Sequence, residues 1–160
     1  MRATRVVLAA GVFLAVVLTV AAGCGSGSAG SSGGGGGGSA TSAAALAGTS
    51  WHLTGWSVSS QDPNAFTITA EFKDGRIGGT SAVNQYGGPY TAGDDGSFSV
   101  GELVSTMMAG PEPDMKAEKT YLELLKAAGK FRVEGDTLTL ADAQGNDSLV
   151  YTRSQASPSP

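Results

Sequence analysis

Phe66, Ile68, Ala70 and Phe72 alternate along the chain with Thr67, Thr69, Glu71 and Lys73. A period of two puts each set on its own face and predicts a strand with the apolar face in a core. Asp74-Gly75 carries a tight-turn signal, and Arg76-Ile77 starts the return strand. Shorter extended segments follow at residues 88–91, 98–100 and 103–108, punctuated by Gly93, Gly96 and Gly101. Residues 131–134 and 137–140 flank Gly135-Asp136, and residues 149–152 end the series. Upstream, residues 50–58, with Trp51 and Trp56, predict the first strand.

One helix interrupts these strands. Pro111 and Pro113 stop the segment before it, and Asp114 is placed to cap it. Met115, Leu122 and Leu125 form an apolar stripe that Tyr121 and Ala128 widen. Gly129 suits the left-handed residue beyond a helix end. Glu112 and Asp114 fall at the positive end of the helix dipole, Lys126 and Lys130 at the negative end. A single helix amid about eight short strands defines an α+β fold, an antiparallel sheet packed on that helix.

The N-terminus has a different pattern. Arg2 and Arg5 precede an uncharged apolar run over residues 6–23, which ends in Ala21-Ala22-Gly23 just before the sole cysteine, Cys24. A basic start, an apolar middle and a small-residue exit make a secretory signal over residues 1–23. The run is also just long enough to span a bilayer, so a retained helix and ordinary cleavage are the alternatives. The position of Cys24 resembles the lipobox of bacterial lipoproteins, in which cleavage leaves the cysteine N-terminal and acyl chains are added to it. That family usually has leucine where this chain has Ala21.

From Gly25 to about Ala45 the chain is almost entirely Gly, Ser, Ala and Thr. Such a segment has little to bury, so residues 24–46 are expected to be a lipid-bearing, disordered tether. A coil of about 20 residues reaches roughly 25 Å root-mean-square. Residues 47–153 then form the folded domain and residues 154–160 a disordered tail. Gly30-Ser31-Ser32-Gly33-Gly34 matches a nucleophile-elbow pattern, and the glycine run matches a dinucleotide fingerprint. Neither has the flanking strand and helix that its chemistry requires.

Charge narrows the partners. Beyond Cys24 the chain has 8 basic and 14 acidic side chains, a formal charge of −6. Nucleic acid and anionic headgroups are therefore not expected partners, and attachment to a membrane falls to the lipid. One cysteine allows no internal disulfide.

Several ordered motifs together resemble the META domain of HslJ-like envelope lipoproteins. They are Gly48-Thr49-Ser50-Trp51, then Phe72-Lys73-Asp74-Gly75-Arg76-Ile77-Gly78-Gly79, then Asn84-Gln85-Tyr86-Gly87-Gly88-Pro89-Tyr90. Leu103-Val104-Ser105-Thr106-Met107-Met108-Ala109-Gly110 and, after the helix, Gly135-Asp136-Thr137-Leu138-Thr139-Leu140 complete the order. The resemblance implies an antiparallel sheet on a helix outside the cytoplasm. It also implies an association with envelope stress and drug tolerance, and no settled catalytic residues. The family often has cysteine where this chain has Val83, and another where it has Gly110. If those cysteines pair in relatives, their joint absence follows, since either alone would be a free exported thiol, and residues 83 and 110 should be neighbours.

Chemistry-bearing clusters are few. His52 is the only histidine, without a nearby set of metal ligands, and is expected to fill a strand. Asp94-Asp95-Gly96 lacks the alternating oxygens of a calcium loop and is expected to be a solvated turn. Asn146-Asp147-Ser148 fits a glycosylation acceptor, which means little in a bacterial-type lipoprotein. Met107 and Met108 are expected on a strand, one to each face, with an adaptable apolar groove as the alternative, and Trp51 is expected in the core. The candidate binding surface is the segment 84–90. Asn84, Gln85, Tyr86, Gly88 and Tyr90 there combine amides, two tyrosines and glycines that admit close approach. The alternative is that Asn84 bonds its own turn and Tyr90 packs inward.

The expectation is thus a non-enzymatic, membrane-anchored extracytoplasmic module of envelope maintenance or interaction. It would have no cofactor and no metal, and its partner would be an envelope protein or small ligand. A protease-inhibitor-like or small-ligand-binding lipoprotein is the alternative.

Overall fold

The computed structural model describes residues 39–58 and 60–154. The expected signal, Cys24, most of the expected tether and the tail after Ser154 lie outside the described residues. Ten antiparallel strands form one sheet. In chain order they are β1 (Ser39–Ala40), β2 (Thr49–Trp56), β3 (Thr69–Lys73), β4 (Arg76–Thr80), β5 (Gln85–Ala92), β6 (Phe98–Val100) and β7 (Val104–Ser105). The helix α1 (Glu112–Ala127) precedes β8 (Ala128–Glu134), β9 (Thr137–Asp142) and β10 (Asp147–Arg153). The spatial order is β1-β8-β9-β10-β2-β3-β4-β5-β6, with β7 beside β5. Past β6 the sheet meets its own far side, where Ser97 bridges Lys130 and the Phe131 N–H donates to the Gly96 carbonyl at 2.9 Å. The α+β sheet is therefore a nearly closed barrel, which removes most of the unpaired edge.

The alternation that predicts β3 is the one observed: Ile68, Ala70 and Phe72 are buried, and Glu71 and Lys73 are exposed. The regular ladder begins later than the pattern, at Thr69, because Ile68 makes only an isolated bridge to Ser81. Asp74-Gly75 turns β3 into β4 with both residues at positive φ, the backbone a two-residue hairpin needs.

The helix departs from expectation at both ends. Its cap position is Pro111, with no side-chain cap bond, and Asp114 lies inside the first turn. At the other end Ala128 passes straight into β8 and Gly129 has no positive φ. Glycine is needed there for a different reason, since a Cβ would lie 2.9 Å from the Ala143 backbone. The buried stripe is Ala117, Glu118, Tyr121 and Leu125, and Met115 falls outside it.

Tyr121 shows how the helix closes the barrel. Its hydroxyl lies 2.6 Å from that of Tyr86 on β5 and 3.3 Å from that of Tyr151 on β10. Those two strands are separated by β2, β3 and β4, so the sheet curls until its opposite sides reach one helical side chain. The three rings are at most 5% exposed. Burying each is worth about 2 kcal/mol in apolar area.

The folded body also starts earlier than expected. Ser39 and Ala40 pair with Glu134 and Val133, residues 43–45 form a 3₁₀ turn, and Leu46 is fully buried. Asp94, expected to be merely solvated, receives this segment: its carboxylate accepts from Ser42 Oγ and from the Ala43 N–H, each at 3.0 Å. A composition of small residues conceals that docking, because the bonds are made by the backbone and by hydroxyls.

Candidate functional site

The segment 84–90 is mostly strand β5, and the pleat divides its residues between two sides. Asn84, Tyr86 and Gly88 are buried, Gln85 and Pro89 are exposed, and Tyr90 is half-buried. Tyr86 donates to, or accepts from, Tyr121 and reaches the Thr69 carbonyl at 3.0 Å. Tyr90 packs edge-on against Phe72, with centroids 5.0 Å apart, and stacks on Phe98 at 6.1 Å. As folded, Asn84 and Tyr86 are 2% and 5% exposed, so a Tyr86→Ala variant would perturb the core as well as any contact surface. Gly88 is required by packing, since a Cβ there would come 2.5 Å from the Glu102 carbonyl.

Asn84 is the centre of a saturated polar cluster. Its side-chain oxygen accepts from Met108 N–H at 2.7 Å and from Thr106 Oγ1 at 2.8 Å. Its amide donates to the Met108 carbonyl at 3.2 Å and to Glu118 Oε1 at 3.0 Å. Its backbone N–H donates to Glu118 Oε2 at 2.8 Å, and Ser81 Oγ lies 3.0 Å from the same oxygen. Helix α1, β5 and the segment after β7 are thereby joined through one amide and one carboxylate. Glu118 was not singled out in the sequence, although 118, 121 and 125 share a helix face and an acid on that stripe is a legible signal.

Burial holds the hydroxyls of Tyr86, Tyr121 and Tyr151 protonated well above the ordinary tyrosine range, reinforced for Tyr86 by its neighbour Tyr121 and for Tyr121 by Tyr151. Tyr90 is raised less, again by burial.

The other expected residues sit as follows. His52 is half-buried on β2, between Thr152 of β10 and Thr69 of β3. Asn146 folds onto Asp142, donating from its amide at 2.9 Å. Trp51 is fully buried in the core. Met107 and Met108 lie beyond the end of β7 rather than on it, and Met107 is 98% exposed. With Met115 they line a groove of about 390 Å³ beside Asn84 and Glu118. Residues 83 and 110 are neighbours: a Cβ on Gly110 would lie 3.4 Å from the Val83 Cβ. Among the described residues no three His, Cys, Asp or Glu side chains are grouped to hold a metal ion, and no helix is long and apolar enough to cross a membrane.

A larger groove, about 470 Å³, runs along the outer face of β3, β4 and β5. Gly78 and Gly87 stand directly opposite each other in its floor. Glu71 pairs with Gly78 from β3, and Lys73 with Arg76 at one end. Thr80 and Gln85 face each other at the other end.

A small antiparallel barrel closed by one helix, with a buried asparagine–glutamate joint and an open groove outside, defines a compact α+β domain. The chain belongs to the META domain family, whose profile matches residues 44–156. The fold also resembles solved structures. An NMR structure of a Burkholderia xenovorans protein is 27% identical with a TM-score of 0.59, covering 70% of this chain and 86% of that one. A second NMR structure is 21% identical with a TM-score of 0.53, covering 68% and 92%. A crystal structure of a DUF4847 family protein from Bacteroides vulgatus ATCC 8482 is 15% identical with a TM-score of 0.51, covering 70% and 96%. No match is found among curated proteins.

Proposed function

We propose that this META domain protein works outside the cytoplasm, held on a membrane surface by acyl chains on Cys24, and that it acts by binding rather than by catalysis. The observation that carries the anchor is the sole cysteine placed directly after Ala21-Ala22-Gly23 at the end of an uncharged apolar run. Residues 25–38 contain only Gly, Ser and Ala, the composition of a tether. A chain with a formal charge of −6 beyond Cys24 gains nothing from anionic headgroups, so stable attachment needs more than one acyl chain.

Two features support binding over catalysis. The Asn84–Glu118 cluster spends its hydrogen bonds on itself and fixes the frame. The open groove on β3–β5 is instead lined by Lys73, Arg76, Glu71, Thr80 and Gln85, which suit recognition. A small-ligand-binding lipoprotein is the form of this reading that the groove favours.

Mass spectrometry of the mature product from native membranes tests the anchor. The expected species begins at Cys24 and carries acyl chains, and Cys24→Ser shifts the protein to the soluble fraction. A bare Cys24, or a product with the leader attached, would refute it.

A further inference from the structure

We infer that the outer face of β3–β4–β5 is a binding site for an acidic saccharide. Its ring sits over Gly78 and Gly87, its carboxylate lies between Lys73 and Arg76, and its hydroxyls meet Glu71, Thr80 and Gln85.

The floor is the first ground. Neighbouring glycines have a packing reason: a Cβ at Gly79 would collide with the Thr69 carbonyl, and one at Gly88 with that of Glu102. Gly87 has no such reason: its φ is not positive, and a Cβ there would lie 3.5 Å from the Ile77 carbonyl, an ordinary contact. Gly78 opposite it is only mildly constrained, since a Cβ would lie 3.2 Å from the Tyr86 carbonyl and the strands would have to part by a few tenths of an ångström. A glycine inside a strand is destabilising relative to alanine, and the two are directly paired. At Gly87 stability is thus given up where the fold does not require it, and the missing side chains leave a bare backbone floor that a ligand ring can approach.

Charge is the second ground. Lys73 and Arg76 are exposed and directly opposite in register, an arrangement that like charges disfavour. Among the described residues no carboxylate lies within 4 Å of Lys73 or Arg76, as for Lys116, Lys126 and Lys130, but Lys73 and Arg76 are also directly cross-strand from each other. On a surface this acidic, two facing cations without a partner form a local site for one anion. Glu71 on the wall offsets one of the two cations and disfavours a polyanion, while Asp74, in the turn that joins them, is not part of the groove's lining. A carboxylate also accepts hydroxyl hydrogen bonds well, and Thr80 with Gln85 adds neutral donors and acceptors at the far end. One carboxylate plus several hydroxyls on a ring whose C–H face can rest on a floor without side chains is the chemistry that fits, and the 470 Å³ groove lies within the usual range for small ligands.

The assignment rests on the reading of the domain as a binding module and not on the anchor: a native product with bare Cys24 that still binds would end the anchor and keep the site. The test is isothermal titration of the full chain, purified from cells, with the disaccharide of N-acetylglucosamine and N-acetylmuramic acid. Neutral diacetylchitobiose and triglutamate are the comparison ligands. Saturable binding is expected for the acidic disaccharide, weaker by about tenfold or more for chitobiose, and absent for triglutamate. Gly87→Val should abolish binding with the melting temperature unchanged or raised, and Lys73→Gln with Arg76→Gln should weaken it by at least about tenfold. The site is refuted if the wild type does not bind the acidic disaccharide, if triglutamate binds better, or if a folded Gly87→Val binds as well. Should Gly87→Val fail to fold, the surface charge variant decides alone, and unchanged affinity there also refutes the site.

Discussion

Glu118 on α1 takes both the backbone N–H and the side-chain amide of Asn84, at 2.8 and 3.0 Å, so one carboxylate fixes both the position and the rotamer of one asparagine. Glu118 is 8% exposed, and the partners of its carboxylate, on Asn84 and Ser81, are neutral donors. Its charge is thus balanced by oriented dipoles, a geometry that tolerates little displacement.

Glu118→Ala leaves those buried donors without an acceptor, and the expected loss is about 3 kcal/mol or more. Glu118→Gln should also destabilise, because its amide would face the Asn84 amide or its backbone N–H, donor against donor. Urea unfolding midpoints measure both. A Glu118→Gln protein as stable as wild type would show that this joint does not secure the helix.

The tyrosine trio predicts alkaline unfolding. Tyr86, Tyr121 and Tyr151 have their folded pKa values raised above the unfolded value of about 10. Below that value both states are protonated and the contribution is fully present. Above it the unfolded chain loses protons that the fold retains, so stability falls by up to about 1.4 kcal/mol per pH unit for each tyrosine. Tyrosinate absorbance should show Tyr90 titrating first and the other three appearing together with loss of circular dichroism. Their ionisation in a chain still folded would overturn this.

The docked N-terminal segment makes a further prediction. Leu46 is fully buried, so Leu46→Ala should cost about 3 kcal/mol, as for other core truncations. Asp94→Ala loses only exposed bonds to Ser42 and Ala43 and should cost up to about 1 kcal/mol. Equal, negligible effects in denaturant titrations would mean that the body begins after residue 46.

What the sequence disclosed follows from how far each signal reaches. Alternation at 68, 70 and 72 is local and β3 was legible, as was the Asp74-Gly75 hairpin. Closure was not, because the contact of Gly96 and Ser97 with residues 130–131 joins segments without a shared pattern. Met115 misled the helix stripe because an apolar residue in the first turn can point past the core. In the candidate segment 84–90 the residue types were right for contact. The pleat decides which of them faces outward, and it turns Tyr86 in and Gly87 out. The groove depends on a Gly78–Gly87 pairing that appears only once the strands are in register.

That register also tests the cysteine pattern implied by the family resemblance. The Cβ separation of 3.4 Å between Val83 and a substituted residue 110 is just below the usual disulfide range of about 3.5–4.5 Å, so Val83→Cys with Gly110→Cys should oxidise with a small adjustment. Closing a loop of roughly 27 residues is worth about 3.5 kcal/mol on the chain-entropy argument, a rise in melting temperature on the order of 10 °C. The single variants should behave unequally. With Val83 in place, a Cβ at 110 comes 2.7 Å from a valine methyl, so Gly110→Cys alone should lower the melting temperature. Val83→Cys alone removes that methyl, loses some packing and gains no crosslink. Reductant should erase the double variant's gain and leave both singles unaffected. A folded double variant with two free thiols after oxidation would mean that residues 83 and 110 are not neighbours in solution.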